Sequence, residues 1–438
     1  MPTRRLPLRG ADLILMAMQA LWRAGEVSNN ALLVVECDGP LPVARVGQAL
    51  DRFLDDCPWP AARLRRPFPW GKLHWAAGPR ADLACPPVHH QVVASPGEVH
   101  EALEAELNRA IDPRREPPLR LRIIDGDHTK GMRGGALILT WFHPFMDPRG
   151  AQNLLKHLAL LDRRDDRTPA GGSPAAFVSP PDPRSYRERG RLARRSRGYI
   201  RTLAQVSPVS PGTGLTAAGG ARFRSVSVAD SASSAGVPRA PHELCLRLAL
   251  IARAIAELCD RRGLPNVPFL VPIAVDLRPK GEPGPIVGNV LAFHFAQFNR
   301  SETIDVAGLA RTLWRQLADA VREGHIEASA AAMEFIKHRR LATMLRELPG
   351  TASGETFSFN FADIGDFPAR SDPFFGRRVV NAYHVAAVMP RPGIGVFFNR
   401  CGLTNNLAAS WIEGAVNEDE VARIVEIARE GLEWAPIP

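Results

Sequence analysis

A stretch of sequence that cannot form regular secondary structure divides this chain near its middle. Residues 167–183 contain five prolines, and proline removes a backbone donor and fixes φ. Residues 184–201 follow with eight arginines and one glutamate, and residues 207–220 are again rich in Pro, Gly and Ser. The sequence therefore predicts two lobes joined by a linker that carries a basic helix. The predicted parts are an N-terminal lobe over residues 1–165, a linker over 166–222 and a C-terminal lobe over 223–438.

Strand and helix patterns alternate on both sides of the linker. Short apolar or β-branched runs predict strands, and apolar residues three or four positions apart predict helices. The predicted strands are 31–37, 119–123, 135–142, 268–277, 288–298, 356–361, 379–388, 395–399 and 407–412. The predicted helices are 11–22, 46–54, 99–111, 154–161, 243–262, 306–322, 330–345 and a last one that ends at 432 after an Asn417–Glu420 capping box. These patterns predict an α/β (α+β) fold with two lobes of similar size.

The sequence lacks the motifs of several common classes of protein. No run of apolar residues is long enough to predict a membrane-spanning helix. The six cysteines form no C-x-x-C pair, which favours reduced thiols in the cytoplasm over a disulfide framework. Neither H-E-x-x-H nor another metal-ligand spacing occurs, and no nucleophile elbow or phosphate-binding loop is found. We therefore expect a cytoplasmic protein without a metal.

The strongest local motif lies at residues 141–150, between a predicted buried strand and a predicted helix. His143 precedes a proline, so it closes the strand rather than opening the helix. Asp147 is followed by Pro148, which is typical of a helix N-cap with proline at the first helical position. Histidine titrates near neutral pH and suits general-base catalysis on a hydroxyl or an amine. Helix capping by Asp147 and a purely structural His143 are the alternatives.

His143-x-x-x-Asp147 resembles the H-H-x-x-x-D-G signature of the chloramphenicol acetyltransferase-like superfamily. That group includes condensation domains of nonribosomal peptide synthetases, wax ester synthase/diacylglycerol acyltransferases and plant alcohol acyltransferases. The first histidine of the signature is Phe142 in this chain, and its glycine is Pro148. Other stretches resemble the superfamily in the expected order, and together they cover nearly the whole chain. They are residues 31–56, 111–119, 271–279, 288–290, 357–365 and 395–412.

The resemblance implies two chloramphenicol acetyltransferase-like lobes with a tunnel between them and His143 near its middle. It implies that His143 takes the acceptor's proton, while Asp147 orients the segment through an arginine, for which Arg278 is the candidate. No covalent enzyme intermediate and no permanently bound cofactor are implied, because acyl-CoA or a phosphopantetheinyl carrier serves as co-substrate. The candidate oxyanion or acceptor contacts are Trp141, Asn289, Ser358 and Asn360.

Other histidines fit the signature less well. His89 and His90 form a literal pair, but no aspartate follows at the required spacing. His294 and His384 lie in predicted strands, where a structural role is favoured.

The net charge of +9 is concentrated in the linker, because residues 184–201 alone contribute +7 (eight arginines minus Glu188). A solvated linker helix is one interpretation. A docking face for an anionic partner is the other, and that partner is an acyl carrier protein, coenzyme A phosphates or a membrane surface. Nucleic acid is disfavoured, since no aromatic interleaving accompanies the arginines. The candidate docking residues are Arg184, Arg187, Arg191, Arg194 and Arg195.

The sequence therefore predicts an acyltransferase that moves an acyl group from a thioester to a hydroxyl or an amine of a small-molecule or lipid acceptor. One alternative is a freestanding condensation enzyme that uses carrier-bound substrates. The other is a catalytically silent homologue that acts as a binding or scaffold protein. The cytoplasmic location includes the option of peripheral attachment to a membrane.

Overall fold

The structure is a computed structural model that describes most of the chain. The greater part of the predicted irregular segment 167–183 lies outside the described residues, as does Pro279. The described residues are 3–21, 28–68, 71–132, 134–163, 182–203, 205, 207–213, 219–229, 241–278, 286–347, 355–367, 373–386 and 388–434.

Strands and helices alternate along both halves of the described chain. The strands are Arg4–Pro7 (β1), Asn30–Cys37 (β2), Arg63–Arg65 (β3), His74–Ala77 (β4), Val88–Val93 (β5), Leu119–Gly126 (β6), Gly135–Phe142 (β7), Ala221–Ala229 (β8), Phe269–Asp276 (β9), Leu291–Phe298 (β10), Asn360–Phe367 (β11), Val379–Ala386 (β12), Ile394–Cys401 (β13) and Thr404–Ile412 (β14). The helices are Gly10–Leu21 (α1), Val43–Asp56 (α2), Pro96–Asn108 (α3), Pro148–Arg163 (α4), Tyr186–Leu203 (α5), Pro241–Arg261 (α6), Val306–Arg322 (α7), His325–Ile336 (α8), Leu341–Glu347 (α9) and Glu418–Trp434 (α10).

A five-stranded sheet in the order β12-β2-β7-β6-β5 forms the centre of the N-terminal half. Both of its faces are buried. Leu33 and Val35 of β2 point into a core shared with α1, α2 and α4, whereas Leu32 and Val34 point into a second core with α3, α6 and the C-terminal sheet. Strands buried on both faces have continuous apolar sequences, which is why β2 and β7 were predictable.

The C-terminal half contributes one strand to this N-terminal sheet. β12 pairs antiparallel with β2 along its length, with Tyr383 opposite Val34. The other C-terminal strands form a second sheet in the order β11-β13-β14-β8, and β9 and β10 form a separate antiparallel hairpin. The two halves are therefore joined through a sheet as well as through the linker.

Most of the predicted elements are present, with some different boundaries. In α2 the predicted helical face of Val46, Ala49, Leu50, Phe53 and Leu54 is buried. The Asn417–Glu420 capping box is present too, with both reciprocal hydrogen bonds at 2.9 Å.

The predicted helix over 330–345 is wrong as one element, since the chain turns between α8 and α9. The predicted strand from 356 begins only at Asn360. The sequence analysis missed five strands, which are β1, β3, β4, β5 and β8. Three of them, β1, β3 and β4, have only three or four residues, and the other two are half-exposed, so their apolar patterns are weak.

Candidate active site

His143 lies at the first position after β7, where a short 3₁₀ turn over His143–Phe145 begins. Its backbone N–H donates to the Asn29 carbonyl at 2.8 Å, so the pairing of β7 with β2 extends to the residue that carries the imidazole. The ring is partly buried: Nδ1 is enclosed and forms no hydrogen bond of regular geometry with the described residues. The more accessible end of the ring is therefore the Nε2 end.

Burial lowers the pKa of His143 below its usual value. Backbone carbonyl groups of His143 and Met146 and the charge of Asp147 act in the opposite direction. A neutral imidazole with an accessible nitrogen is the protonation state that a general base needs at neutral pH.

Asp147 has two structural roles in the segment that follows His143. Its Oδ1 accepts from the Gly150 N–H at 2.8 Å, which caps the first turn of α4. Both carboxylate oxygens also accept from Nη2 of Arg278, at 2.9 and 3.0 Å. Asp147 is 4% exposed, so its charge is neutralised within the protein rather than by water. Asp147 therefore caps α4 and pairs with Arg278 at the same time.

Arg278 follows β9 in the C-terminal half and connects several groups at the site. Besides Asp147, its guanidinium donates to the carbonyls of Ile286 and Gly288 and to the carboxylate of Asp276. The neighbouring Val290 N–H donates to Asp147 Oδ2 at 2.8 Å. The backbone just before β10 is thus bonded to residues 141–150, the candidate catalytic segment, which explains why the predicted strand from 288 begins only at Leu291.

Gly150 lets the two halves approach closely at this point. A Cβ atom on Gly150 would lie 1.8 Å from the Val287 carbonyl oxygen and 3.3 Å from Arg278 Nη2. Sequence reasoning noticed only that the signature's glycine is missing after Asp147. Gly150, three residues after the aspartate, was an available signal.

The side-chain donors of two of the four proposed oxyanion or acceptor contacts are already used by other partners, which corrects their assignment. The Trp141 indole N–H donates to the Met146 carbonyl at 2.8 Å. Asn289 Nδ2 donates to Asp12 Oδ1 at 2.7 Å and to the Pro144 carbonyl at 3.1 Å. Trp141 and Asn289 therefore hold the candidate catalytic segment in place and have no side-chain donor left for a substrate.

Ser358 is fully buried beside β9, where its Oγ accepts from the Leu270 N–H at 3.2 Å and its own N–H donates to the Leu270 carbonyl. It is structural. Asn360 is the fourth candidate; it is partly exposed at the first position of β11, and its contact with a substrate stays a prediction.

Arg149 and Gln152 connect the start of α4 to the C-terminal half. Arg149 donates to the Ile364 and Asp366 carbonyls of β11 and to Gln152 Oε1. Because Oε1 is used in this way, Gln152 Nε2 is the donor to His384 Nε2, at 3.1 Å. Burial, together with the nearby Arg149 and Lys156 charges, lowers the pKa of His384 to about 3. His384 is therefore a neutral structural histidine.

The remaining histidines of the sequence analysis lie elsewhere. His90 is exposed and pairs with Asp125 at 2.9 Å, and its neighbour His89 precedes it on β5. His294 is 4% exposed, and neither ring nitrogen has a hydrogen-bond partner among the described residues. Burial lowers its pKa to about 4, with a smaller effect from His325.

The basic helix α5 has one side packed on the rest of the protein and another side with exposed arginines. Tyr199 donates to the Phe295 carbonyl and stacks near His325 of α8, so this face is packed. Arg184 is partly exposed and paired with Asp182 at 2.8 Å, and its part in docking stays a prediction. Six other arginines are exposed, and none of them forms an ion pair with a described residue; they are Arg187, Arg191, Arg194, Arg195, Arg197 and Arg201.

A cavity of about 590 Å³ lies away from these residues, between α3, β8 and the start of α10. Its Arg222 is already paired with Glu104 and Glu413, at 2.6 and 2.8 Å, so we assign it no function. Within the described ranges, no group of three or more His, Cys, Asp or Glu side chains could hold a metal ion. None of the helices in that part of the chain is long and apolar enough to cross a membrane.

Solved structures share this fold over nearly the whole chain. Trichothecene 15-O-acetyltransferase from Fusarium sporotrichioides matches with a TM-score of 0.70 and 12% identity, covering 98% of this chain and 94% of that chain. The first condensation domain of the calcium-dependent antibiotic synthetase matches with a TM-score of 0.65 and 15% identity, covering 99% and 97%. The starter condensation domain of rhizomide synthetase gives 0.60 and 13%, covering 99% and 98%.

No protein-family model matches the sequence, and no curated protein matches it either. The structural matches confirm the predicted two-lobed α/β fold, which the acetyltransferase and the condensation domains share.

Proposed function

We propose that this protein is an acyltransferase that moves an acyl group from a thioester donor to a hydroxyl or an amine, with His143 as general base. The observation that carries the proposal is the placement of His143 on a fold shared with an acetyltransferase and with condensation domains. The ring is held at a strand end with Nδ1 enclosed, and both halves of the chain brace the segment that follows it.

The proposed reaction uses one side chain to move one proton. The acceptor O–H or N–H gives its proton to His143 Nε2 while the acceptor's lone pair adds to the thioester carbonyl carbon. Collapse of the tetrahedral intermediate breaks the C–S bond, and the imidazolium returns the proton to the leaving thiolate. The products are an ester or an amide and a free thiol, and no acyl group is attached to the protein.

The nature of the donor has support from one relative. A variant of the rhizomide starter condensation domain has been solved with C8-CoA and Leu-SNAC, so thioesters of coenzyme A and of a short thiol are the first donors to test. The freestanding condensation enzyme and the silent binding protein remain alternatives. Cytoplasmic location, with or without attachment to a membrane, stays a prediction.

We infer that the donor arrives on an acidic acyl carrier protein that docks on the exposed arginines of α5. At 3.6 residues per turn the six side chains fall within an arc of about 160° and extend over about 21 Å, the length of a helix of about 14 residues. Guanidinium groups bind carboxylates through paired hydrogen bonds. On another side of α5, Tyr199 packs on His325 of α8. The exposed apolar residues Tyr186 and Ile200 lie 14 positions apart, so they do not form the continuous apolar face that inserts into a bilayer.

Replacing His143 with alanine tests the catalytic proposal. The purified protein would be given acyl-CoA and acyl-N-acetylcysteamine thioesters with panels of alcohols and amines, and product would be measured by mass spectrometry alongside thiol release. We expect His143→Ala to lower the rate by about 10²- to 10⁴-fold. In the unchanged protein, the acid limb of the rate profile should lie below pH 6.5, because burial lowers the pKa of His143.

His90→Ala is the matched control, because His90 is exposed and remote in sequence from the segment; it should leave the rate unchanged. Equal turnover by His143→Ala and the unchanged protein would reject the general-base role. Absence of turnover with every donor and acceptor would favour the silent binding protein.

A further inference from the structure

A buried acid at the start of α1 is connected to the catalytic segment through Asn289. Asp12 is 3% exposed and Asn289 is 2% exposed. Asp12 Oδ2 accepts from the Arg9 N–H at 2.8 Å, and its Oδ1 accepts from Asn289 Nδ2 at 2.7 Å. The same Nδ2 donates to the Pro144 carbonyl, next to His143. Arg9 also donates through Nη1 to the Asn289 carbonyl at 2.7 Å.

We propose that Asp12 and Asn289 are positioning residues for His143, with Asp12 fixing the orientation of the Asn289 amide that holds the Pro144 carbonyl. The proposal rests on the proposed function only in treating His143 as the catalytic residue. It assigns a role at the active site to the N-terminal segment, which lies more than 130 positions from His143 in sequence.

The orientation of the Asn289 amide depends on both Asp12 oxygens being acceptors, because Oδ1 faces Asn289 Nδ2 and Oδ2 faces the Arg9 N–H. Each N–H of the amide is used, one by Asp12 and one by Pro144, and Oδ1 is buried without a partner. In this orientation the amide nitrogen bonds the Pro144 carbonyl, and the amide oxygen is left without a hydrogen bond. If the atom that faces Nδ2 became a donor, two donors would meet, and rotation of the amide would place Oδ1 against the Pro144 oxygen. Either result breaks the contact with the catalytic segment.

Protonation of Asp12 would cause that change without a mutation. Burial raises the pKa of Asp12 to about 7, and the negative charge of Asp147 adds to this effect. The hydrogen bonds from Arg9 and Asn289 and the positive charge of Arg9 act in the opposite direction. The pKa of the neighbouring Arg9 is lowered by burial and by the charge of Arg278, and the charge of Glu334 of α8 opposes this. As the pH rises from 6 to 8 Asp12 loses its proton, so the contact with Pro144 should strengthen over this range.

Hydrogen exchange of the peptide that spans residues 142–150 measures the contact without any substrate. We expect Asp12→Asn and Asn289→Ala each to speed exchange in this peptide by about tenfold or more, while peptides from β2 and β7 keep their protection. After correction for the intrinsic rate, protection in the unchanged protein should increase from pH 6 to pH 8. Asp12→Asn should remove that increase.

Turnover gives the second measurement. We expect kcat to fall by about 10- to 100-fold with KM nearly unchanged, because a small displacement of a catalytic group affects the chemical step most. The double variant should be no worse than the worse single variant, since both changes remove the same contact. Asp305→Asn is the matched control: Asp305 is an exposed acid that also accepts a backbone N–H, at the start of α7. It should change neither exchange nor kcat.

Unchanged exchange in 142–150 in Asp12→Asn, or losses that add as if independent, would overturn the positioning role. If neither the unchanged protein nor any variant turns over a thioester, the proposed function fails, and the exchange measurement still decides whether Asp12 and Asn289 hold the segment.

Discussion

The candidate catalytic segment and the basic helix α5 differ in how their charges are neutralised. The side chains of Asp147 in the segment and of its partner Arg278 after β9 are both more than 90% buried, and each has several hydrogen-bond partners. On α5, six arginines extend into solvent and form no ion pair with the described residues. Both regions are rich in charge, but only in the first does the protein itself supply the opposite charges.

The difference indicates what each set of charges is for. A buried charge costs several kcal/mol unless it is paired and hydrogen-bonded, so the pairs around Asp147 are part of the fold and of the site's geometry. Exposed arginines cost little and contribute little to stability. Six of them on one helical face keep the capacity to bind an anionic partner. We therefore expect substitutions in the segment to reduce stability and substitutions on α5 to reduce binding.

Arg278→Met should give the largest effect. It leaves the Asp147 carboxylate buried without its counter-charge, and we expect the free energy of unfolding to fall by about 3–5 kcal/mol. Urea denaturation measures this change. Asp147→Asn in the same chain removes the unpaired charge, so the double variant should recover part of the loss.

Arg322→Met is the matched control. Arg322 forms an ion pair of the same kind with Asp319, at 2.7 Å, but both side chains are at least half exposed. The expected loss is within about 0.5 kcal/mol. Equal losses in Arg278→Met and Arg322→Met would mean that burial of the Asp147–Arg278 pair is not what makes it structural.

Gly150→Ala should give the next largest effect. The new methyl group would overlap the Val287 carbonyl oxygen, which forces apart the two halves of the site. We expect a loss of about 1–3 kcal/mol and a lower rate of acyl transfer. Gly47→Ala, in the middle of α2, meets no atom within 4 Å and should stabilise the protein by about 0.5–1 kcal/mol. Thermal unfolding of the two variants compares them, and a stable Gly150→Ala would reject the close approach.

The same contrast explains what could be predicted from the sequence. Periodicity revealed α2 and β7, since their burial repeats along the chain. The segment at 141–150 was found because strand, histidine, proline and aspartate are close in sequence. Asp12, Asn289 and Gly150 meet it only through tertiary contacts. Asp12 lies in the predicted helix over residues 11–22, where an acid within an apolar run was the available signal for a buried partner.

The assignment of donors failed for a related reason. Trp141 and Asn289 have the right chemistry for an oxyanion site, but hydrogen-bond donors can be counted as free only when their partners are known. Their N–H groups are used by Met146, Asp12 and Pro144. Arg278, by contrast, was predicted to pair with Asp147 from the resemblance alone, and the structure brings them together.

Charge reversal on α5 should have the smallest effect on stability and a large effect on binding. The triple variant Arg187→Glu, Arg191→Glu, Arg194→Glu changes three exposed side chains that form no ion pair with a described residue, so we expect the free energy of unfolding to stay within about 0.5 kcal/mol. Binding of an acidic holo acyl carrier protein, measured by fluorescence anisotropy at low salt, should weaken by about tenfold or more, because like charges then face each other across the interface.

The triple variant Arg253→Glu, Arg261→Glu, Arg311→Glu changes the net charge by the same amount at exposed positions of α6 and α7. If binding depends on the face of α5 rather than on total charge, this second variant keeps most of its affinity for the carrier. Equal weakening in both variants would mean that the +9 charge acts as a whole and that α5 is not a docking face. Binding to phosphatidylglycerol vesicles but not to the carrier would identify a lipid surface as the partner instead. Loss of stability in the α5 variant would contradict the comparison itself, since it would show that these arginines, like those around Asp147, are held by charges within the protein.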